Sequence, residues 1–140
     1  MLHRLFGLGF LFLLSFAASA ADEPVQDPAY IMVRSYESHV LNAEGADTAT
    51  YERAIKVLKD TAIASLKETA ISYSTSVETG EIITAYTQKP DGRKIEVPKA
   101  NYQLEVNSAK DVGASPVYSD YTTLSIVFPD VAVKDTLVLQ

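Results

Sequence analysis

Few residues in this chain have the chemistry to act as catalysts. His39 is the only histidine beyond the first twenty residues. A serine–histidine–aspartate arrangement would have to use it, since the base must take a hydroxyl proton while a carboxylate holds its ring. It lies in Ser35–Val40, which alternates like a strand, and there a hydrogen-bonded or solvated histidine is the plainer reading. The chain has no cysteine, which excludes thiol catalysis and thiolate metal sites within it. Asp111 and Asp120 offer a glycosidase-type acid and base, a task that needs carboxyl groups roughly 5–10 Å apart. On so acidic a chain, solvated turns and strand faces are the plainer reading of them. Asn42, Glu44 and Asp47 around Gly45 carry hard oxygen donors of the kind calcium takes, without the spacing of an EF-hand loop. No glycine-rich phosphate loop is present, and no Gly-Lys-Ser/Thr run follows any glycine.

Eight tyrosines without a tryptophan suggest a sugar-stacking platform. However, Tyr36, Tyr51, Tyr73, Tyr86, Tyr102, Tyr118 and Tyr121 all fall in or beside strand-like runs, where tyrosine is favoured in any case.

The first twenty residues belong to targeting rather than to the fold. Arg4 makes a positive start, Leu5 to Ala17 is an uncharged apolar run, and Ala18-Ser19-Ala20 fits the small-x-small pattern of a signal peptidase site. The run is shorter than the ~20 residues of a spanning helix. Cleavage after Ala20 is therefore expected, giving a periplasmic or secreted protein with no stable membrane insertion. The remaining 120 residues hold 18 acidic and 11 basic side chains. With no basic stripe, such a chain repels phosphate backbones, and nucleic acid is not an expected partner. Without disulfides the fold must rest on its apolar core, and at this size that implies modest stability.

Ala21 to Ala29, with Pro24 and Pro28 among acidic residues, reads as an extended leader. Tyr30 to Val40 reads as a strand and Asn42 to Asp47 as a turn. Thr50 to Ala70 is ambiguous: Tyr51, Ala54, Ile55, Leu58, Ala62 and Leu66 fit a helical stripe, while Tyr51, Ile55 and Val57 also fit one face of a strand. Glu68 to Tyr73 is a short strand candidate. The clearest element spans Glu81 to Lys99. Ile82 to Thr87 is β-branched and aromatic, Pro90-Asp91-Gly92 has turn chemistry, and Lys94 to Val97 alternates, with Ile95 and Val97 facing one way. Tyr102, Leu104 and Val106 share a face in the next strand. Asn107 to Pro116 is a polar loop, and Val117 to Phe128 returns to strand composition. Asp135 to Gln140 starts another apolar strand, which would be left as an open edge at Leu137–Leu139 unless more sequence follows.

Taken together, Ala85-Tyr86, Pro90-Asp91-Gly92-Arg93, Tyr118-Ser119-Asp120, Phe128-Pro129 and the Val131-x-Val133-x-Asp135 run resemble domain-of-unknown-function family 3857. The resemblance covers roughly Tyr30 to Gln140. It departs at Lys134, where the family pattern has the glycine of a Gly-Asp pair, so the turn before the last strand is expected to be less tight. The resemblance implies a β-sandwich module near the N-terminus of exported bacterial proteins, typically ahead of a transglutaminase-like domain of papain-type fold. It also implies no catalytic residue here, and it favours reading Thr48 to Leu58 as a strand, with Lys59 to Lys67 a loop or short helical turn.

The expectation is thus an all-β sandwich of immunoglobulin-like architecture: signal peptide 1–20, leader 21–29 and a module over 30–140 that continues past the chain end. No catalytic, cofactor or metal residue is assigned. Pro90, Asp91, Gly92, Tyr118, Ser119, Asp120, Phe128 and Pro129 are structural motif positions, with Asp120 expected to bond backbone at a strand entry. The expected role is an exported non-catalytic module. The alternatives are an accessory part of a transglutaminase-like cysteine peptidase or transamidase, and a carbohydrate-binding module. Expected partners are a downstream domain of the same polypeptide, an exported protein or a glycan.

Overall fold

The computed structural model describes residues 27–106 and 120–140. The expected signal peptide, most of the expected leader, the expected Asn107 to Pro116 loop with Asp111, and Tyr118 and Ser119 therefore lie outside the described residues. The described chain forms β1 (Tyr30–Leu41), β2 (Asp47–Val57), a 3-10 turn and the one-turn helix α1 (Ile63–Leu66), then β3 (Glu68–Ser74), β4 (Ala85–Gln88), β5 (Lys94–Glu96), β6 (Tyr102–Val106), β7 (Tyr121–Val127) and β8 (Thr136–Leu139). All pairings are antiparallel, in a five-stranded sheet of order β1-β2-β8-β4-β5 and a three-stranded sheet of order β3-β7-β6. The fold is all-β and sandwich-like. Val57, Ala85, Val97 and Leu137 meet Ile126 and Phe128 in its buried core.

The first part of the ambiguous stretch is a strand, and the 3-10 turn and α1 fill Asp60 to Leu66. β2 has good helix formers, but it pairs along its length with β1, and Arg53 to Lys56 pair with β8 on the other side. Strand pairing on both flanks outweighs a local preference of a few tenths of a kcal/mol per residue.

The Pro90-Asp91-Gly92 turn forms as its chemistry dictates. Gly92 takes φ +87°, its N–H donates to the Lys89 carbonyl, and the Arg93 N–H donates to Asp91 Oδ1 at 3.0 Å. The first arm is shorter than expected and starts at Ala85. Ile83 and Thr84 instead donate their N–H groups to the Gln140 carbonyl, and Gln140 donates back to Thr84. On β6 the apolar face exists but is only partly used: Tyr102 packs on the core while Leu104 and Val106 are exposed.

The last strand corrects an expectation. Leu137–Leu139 is not an open edge: β8 is the central strand of the larger sheet, flanked by β2 and β4. The argument that an unpaired edge calls for further sequence therefore falls away. Lys134, ahead of β8, sits in the left-handed region at φ +77°, where glycine is at home and an L side chain costs about 1–2 kcal/mol. The turn is nonetheless tight, because the Lys134 N–H donates to the Val57 carbonyl and the Val57 N–H donates to that of Asp135. Lys134→Gly is accordingly expected to stabilise the domain by about 1 kcal/mol, net of the extra freedom glycine gives the unfolded chain. Thermal melts should show a rise of several degrees.

Candidate functional site

The structure places the residues with chemical potential in three separate groups. The first is on the β1–β2 hairpin. His39 Nδ1 is 2.7 Å from Asp47 Oδ2 and its Nε2 is 2.8 Å from Glu37 Oε1, with the Tyr51 ring edge-on at 6.3 Å. Alternation brings Glu37 to the same face as His39, and the β1–β2 register brings Asp47 and Tyr51 alongside. Both ring nitrogens face carboxylates, so the imidazolium is favoured. The His39 pKa lies above 6.5, chiefly through its bond to Asp47 and then that to Glu37. A general base needs a free nitrogen facing a hydroxyl, whereas this histidine bridges two strands on an exposed surface.

The calcium-type oxygens are employed otherwise. Asn42 Oδ1 accepts the N–H groups of Glu44 and Ala46 at 3.1 and 2.8 Å, closing the turn at Gly45, and Asp47 is held by His39. Among the described residues no three His, Asp or Glu side chains converge as metal ligands.

Asp120 is the second group. Its Oδ2 accepts from the Ser74 hydroxyl at 2.6 Å, the Ser76 N–H at 3.2 Å and the Ser76 hydroxyl, while its carbonyl accepts from Thr75 N–H and Oγ1. It therefore ties the entry of β7 to the exit of β3. The Ser74 hydroxyl, then the Ser76 groups, lower its pKa from 3.8 to about 2. A depressed aspartate contributes stability that is present above pH 3.8 and lost as pH falls through about 2. Asp120→Asn is expected to flatten the acid limb, so that melting temperature falls less between pH 4 and 2 than in the parent chain. Asp111, the other carboxylate a glycosidase-type pair would need, is outside the described residues.

The third group was not singled out as a cluster from the sequence. Lys89 Nζ is 2.9 Å from both Asp135 Oδ2 and Asp130 Oδ2, and also donates to the Asp130 carbonyl. Asp135 is buried and accepts the Ala132 N–H at 2.7 Å, while buried Thr87 donates to the Pro129 carbonyl at 2.8 Å. β4 thus grips the Phe128–Asp135 turn from inside. Asp135 is the main cause that raises the Lys89 pKa above 10.5, against the opposing effect of burial. A charged, fully bonded lysine is a clasp, not a nucleophile.

Among the described residues the tyrosines do not form a platform. Tyr36 and Tyr86 point to the outer face of the large sheet, with Lys94 Nζ 4.3 Å over the Tyr86 ring. Tyr51 is on the opposite face of that sheet, and Tyr102 packs on the core. Tyr73 lies against Gly80, where even a methyl group would come within 2.6 Å of the ring. Tyr118 is outside the described residues.

The fold is similar to that of a solved protein of Parabacteroides distasonis named a "putative protease", with a TM-score of 0.70 at 20% sequence identity. The alignment covers 79% of this chain and 22% of that one, so the chain spans about a fifth of the length of its structural relative. At this identity the likeness shows the fold alone. No curated protein matches the chain. The model of the Domain of Unknown Function with solved structure, DUF3857, matches residues 43–140, which takes in the Pro90-Asp91-Gly92 turn and the Phe128–Asp135 clasp, and the chain belongs to that family.

Proposed function

We propose that the chain is a non-catalytic recognition module of an exported protein. The observation that carries this reading is the unequal width of the two sheets. The β1–β2 hairpin reaches past the strands that could cover it, leaving Ile31, Met32, Val33, Tyr36, Val40, Leu41 and Tyr51 all at least 40% exposed. An isolated two-stranded ribbon is marginal in water, and so many apolar side chains exposed on its two faces mark it as an interaction surface. The chemically capable side chains, by contrast, are spent on bridging strands and turns. Export follows from Ala18-Ser19-Ala20, and the mature protein should begin at Ala21 by intact mass.

A second reading makes the module an accessory part of a longer transglutaminase-like peptidase or transamidase. It is favoured by the Parabacteroides protein, whose name refers to proteolysis and of which this chain spans only 22%. One activity screen separates the two. The purified chain and the native polypeptide from the source cell are each offered peptide, ester and amine-donor substrates. No turnover by the chain is expected. Turnover by the native polypeptide alone would establish the second reading, and turnover by the chain that disappears in His39→Ala would overturn the non-catalytic one.

A further inference from the structure

The smaller sheet is too narrow for the larger, and the shortfall has a definite shape. β3 is bonded to β7 on one side and unpaired on the other among the described residues. Below its free edge the core-side face of β2 runs outward from Val57 through Ile55 and Arg53 to Tyr51. A cleft of about 110 Å³ opens between the two, with Arg53, Ile55, Leu137 and Leu139 on the floor and Leu66 and Glu68 on the wall. The cleft lies at the start of β3, beside Glu68 and Thr69, and the free edge of the strand runs on from it to Ser74.

We propose that this groove takes an extended strand of a protein partner. The strand adds to β3 as a fourth member of the smaller sheet, sinks one apolar side chain into the cleft over Ile55 and Leu139, and sets a carboxylate on Arg53. The inference deepens the reading of the chain as a recognition module and rests on it.

Three observations select this occupant. First, small-molecule pockets run to roughly 300–1,000 Å³, whereas 110 Å³ has room for a single side chain. Second, Arg53 is exposed and makes no ion pair among the described residues, although acidic residues outnumber basic ones 18 to 12. An arginine left free beside apolar surface suits a carboxylate, and Glu68 on the opposite wall repels one, so the acid has one register. Third, β3 lacks the usual edge guards. β1 carries a bulge between Met32 and Arg34, and β5 has only three residues, two of them charged. β3 offers seven residues with no proline, no lysine and no charge after Glu68, which is a ready template for strand addition.

The test uses the full chain and a fluorescent seven-residue peptide of alternating threonines, with leucine, glutamate and valine at the positions facing the floor. Saturable binding is expected, with slowed amide exchange in Glu68–Ser74. Arg53→Glu should weaken binding about tenfold while leaving the melt unchanged, and a lysine-for-glutamate peptide should bind that variant better than the parent chain. A central proline in the peptide should abolish binding, because it removes a ladder donor. No binding at millimolar peptide, or equal binding of the proline peptide, would overturn the proposal. Protection confined to β1 would also overturn it while leaving the recognition reading intact, and binding of oligosaccharides in place of every peptide would overturn the protein partner.

Discussion

Asp135→Ala is expected to destabilise the domain by about 3–5 kcal/mol, the usual loss when one member of a buried ion pair is removed. Asp135 is almost fully buried, and Lys89 is about nine-tenths covered. The truncation removes the buried carboxylate from the Lys89 ammonium, leaving it only the more exposed Asp130, and also strips the Ala132 N–H of its acceptor. In a domain of this size that is a shift on the order of 15–30 °C in melting temperature, and a large share of the 5–15 kcal/mol that such domains possess. Asp135→Asn keeps an acceptor for Ala132 and should lose less, so the difference between the two variants isolates the charge. The alkaline limb gives an independent check. Because the Lys89 pKa is raised in the folded state, chiefly by Asp135, its contribution is fully present below the unfolded value of 10.5 and fades as pH climbs through the folded one. Urea midpoints should fall with rising pH above 10.5 in the parent chain, and less steeply in Lys89→Met. An alkaline limb unchanged by that substitution would show that the clasp does not contribute.

Those two residues show what the sequence could not convey. The Pro90-Asp91-Gly92 turn was legible because its causes are local: a preset φ, a side chain bonding two residues on, and one glycine at positive φ. The alternation of β5 is legible for the same reason. Lys89 and Asp135 lie 46 residues apart, and each reads as an ordinary solvated charge until β8 is threaded between β2 and β4. The placement of β8 escapes the sequence on the same ground, since an apolar run at the chain end looks like an edge when its neighbours are not known. Lys134 departs from the family pattern, and the turn nonetheless keeps its tightness with lysine in the left-handed region. Two bonds to Val57 hold it there.

The candidate site follows a similar division. Glu37 beside His39 could be anticipated from period-2 alternation, but Asp47 and Tyr51 join them only through the β1–β2 register. The groove has no sequence signature, because it arises from a mismatch in strand number between two sheets. Arg53 shows this well. It reads as one more charge on a two-faced strand, and only the cleft it lines sets it apart.

Phe128→Ala is the second large expected loss, again about 3–5 kcal/mol, by a different physical route. The ring is 5% exposed and packs with Val57, Ala85, Val97, Ile126 and Leu137, while its N–H donates to the Lys67 carbonyl. Truncation deletes the largest aromatic contribution to the core, and the space it leaves opens into the cleft it already lines. Without disulfides nothing else restrains the unfolded chain, so the urea midpoint should drop sharply at constant m-value. Phe128→Leu preserves most of the volume and should cost under about 1.5 kcal/mol. Because Phe128 and Asp135 flank the same turn, whose Pro129 carbonyl is held by Thr87, the double substitution Phe128→Ala/Asp135→Ala should lose less than the sum of the single changes. Strict additivity would mean that core and clasp act as independent sites, and that the Phe128–Asp135 turn is not the single structural unit this fold makes of it.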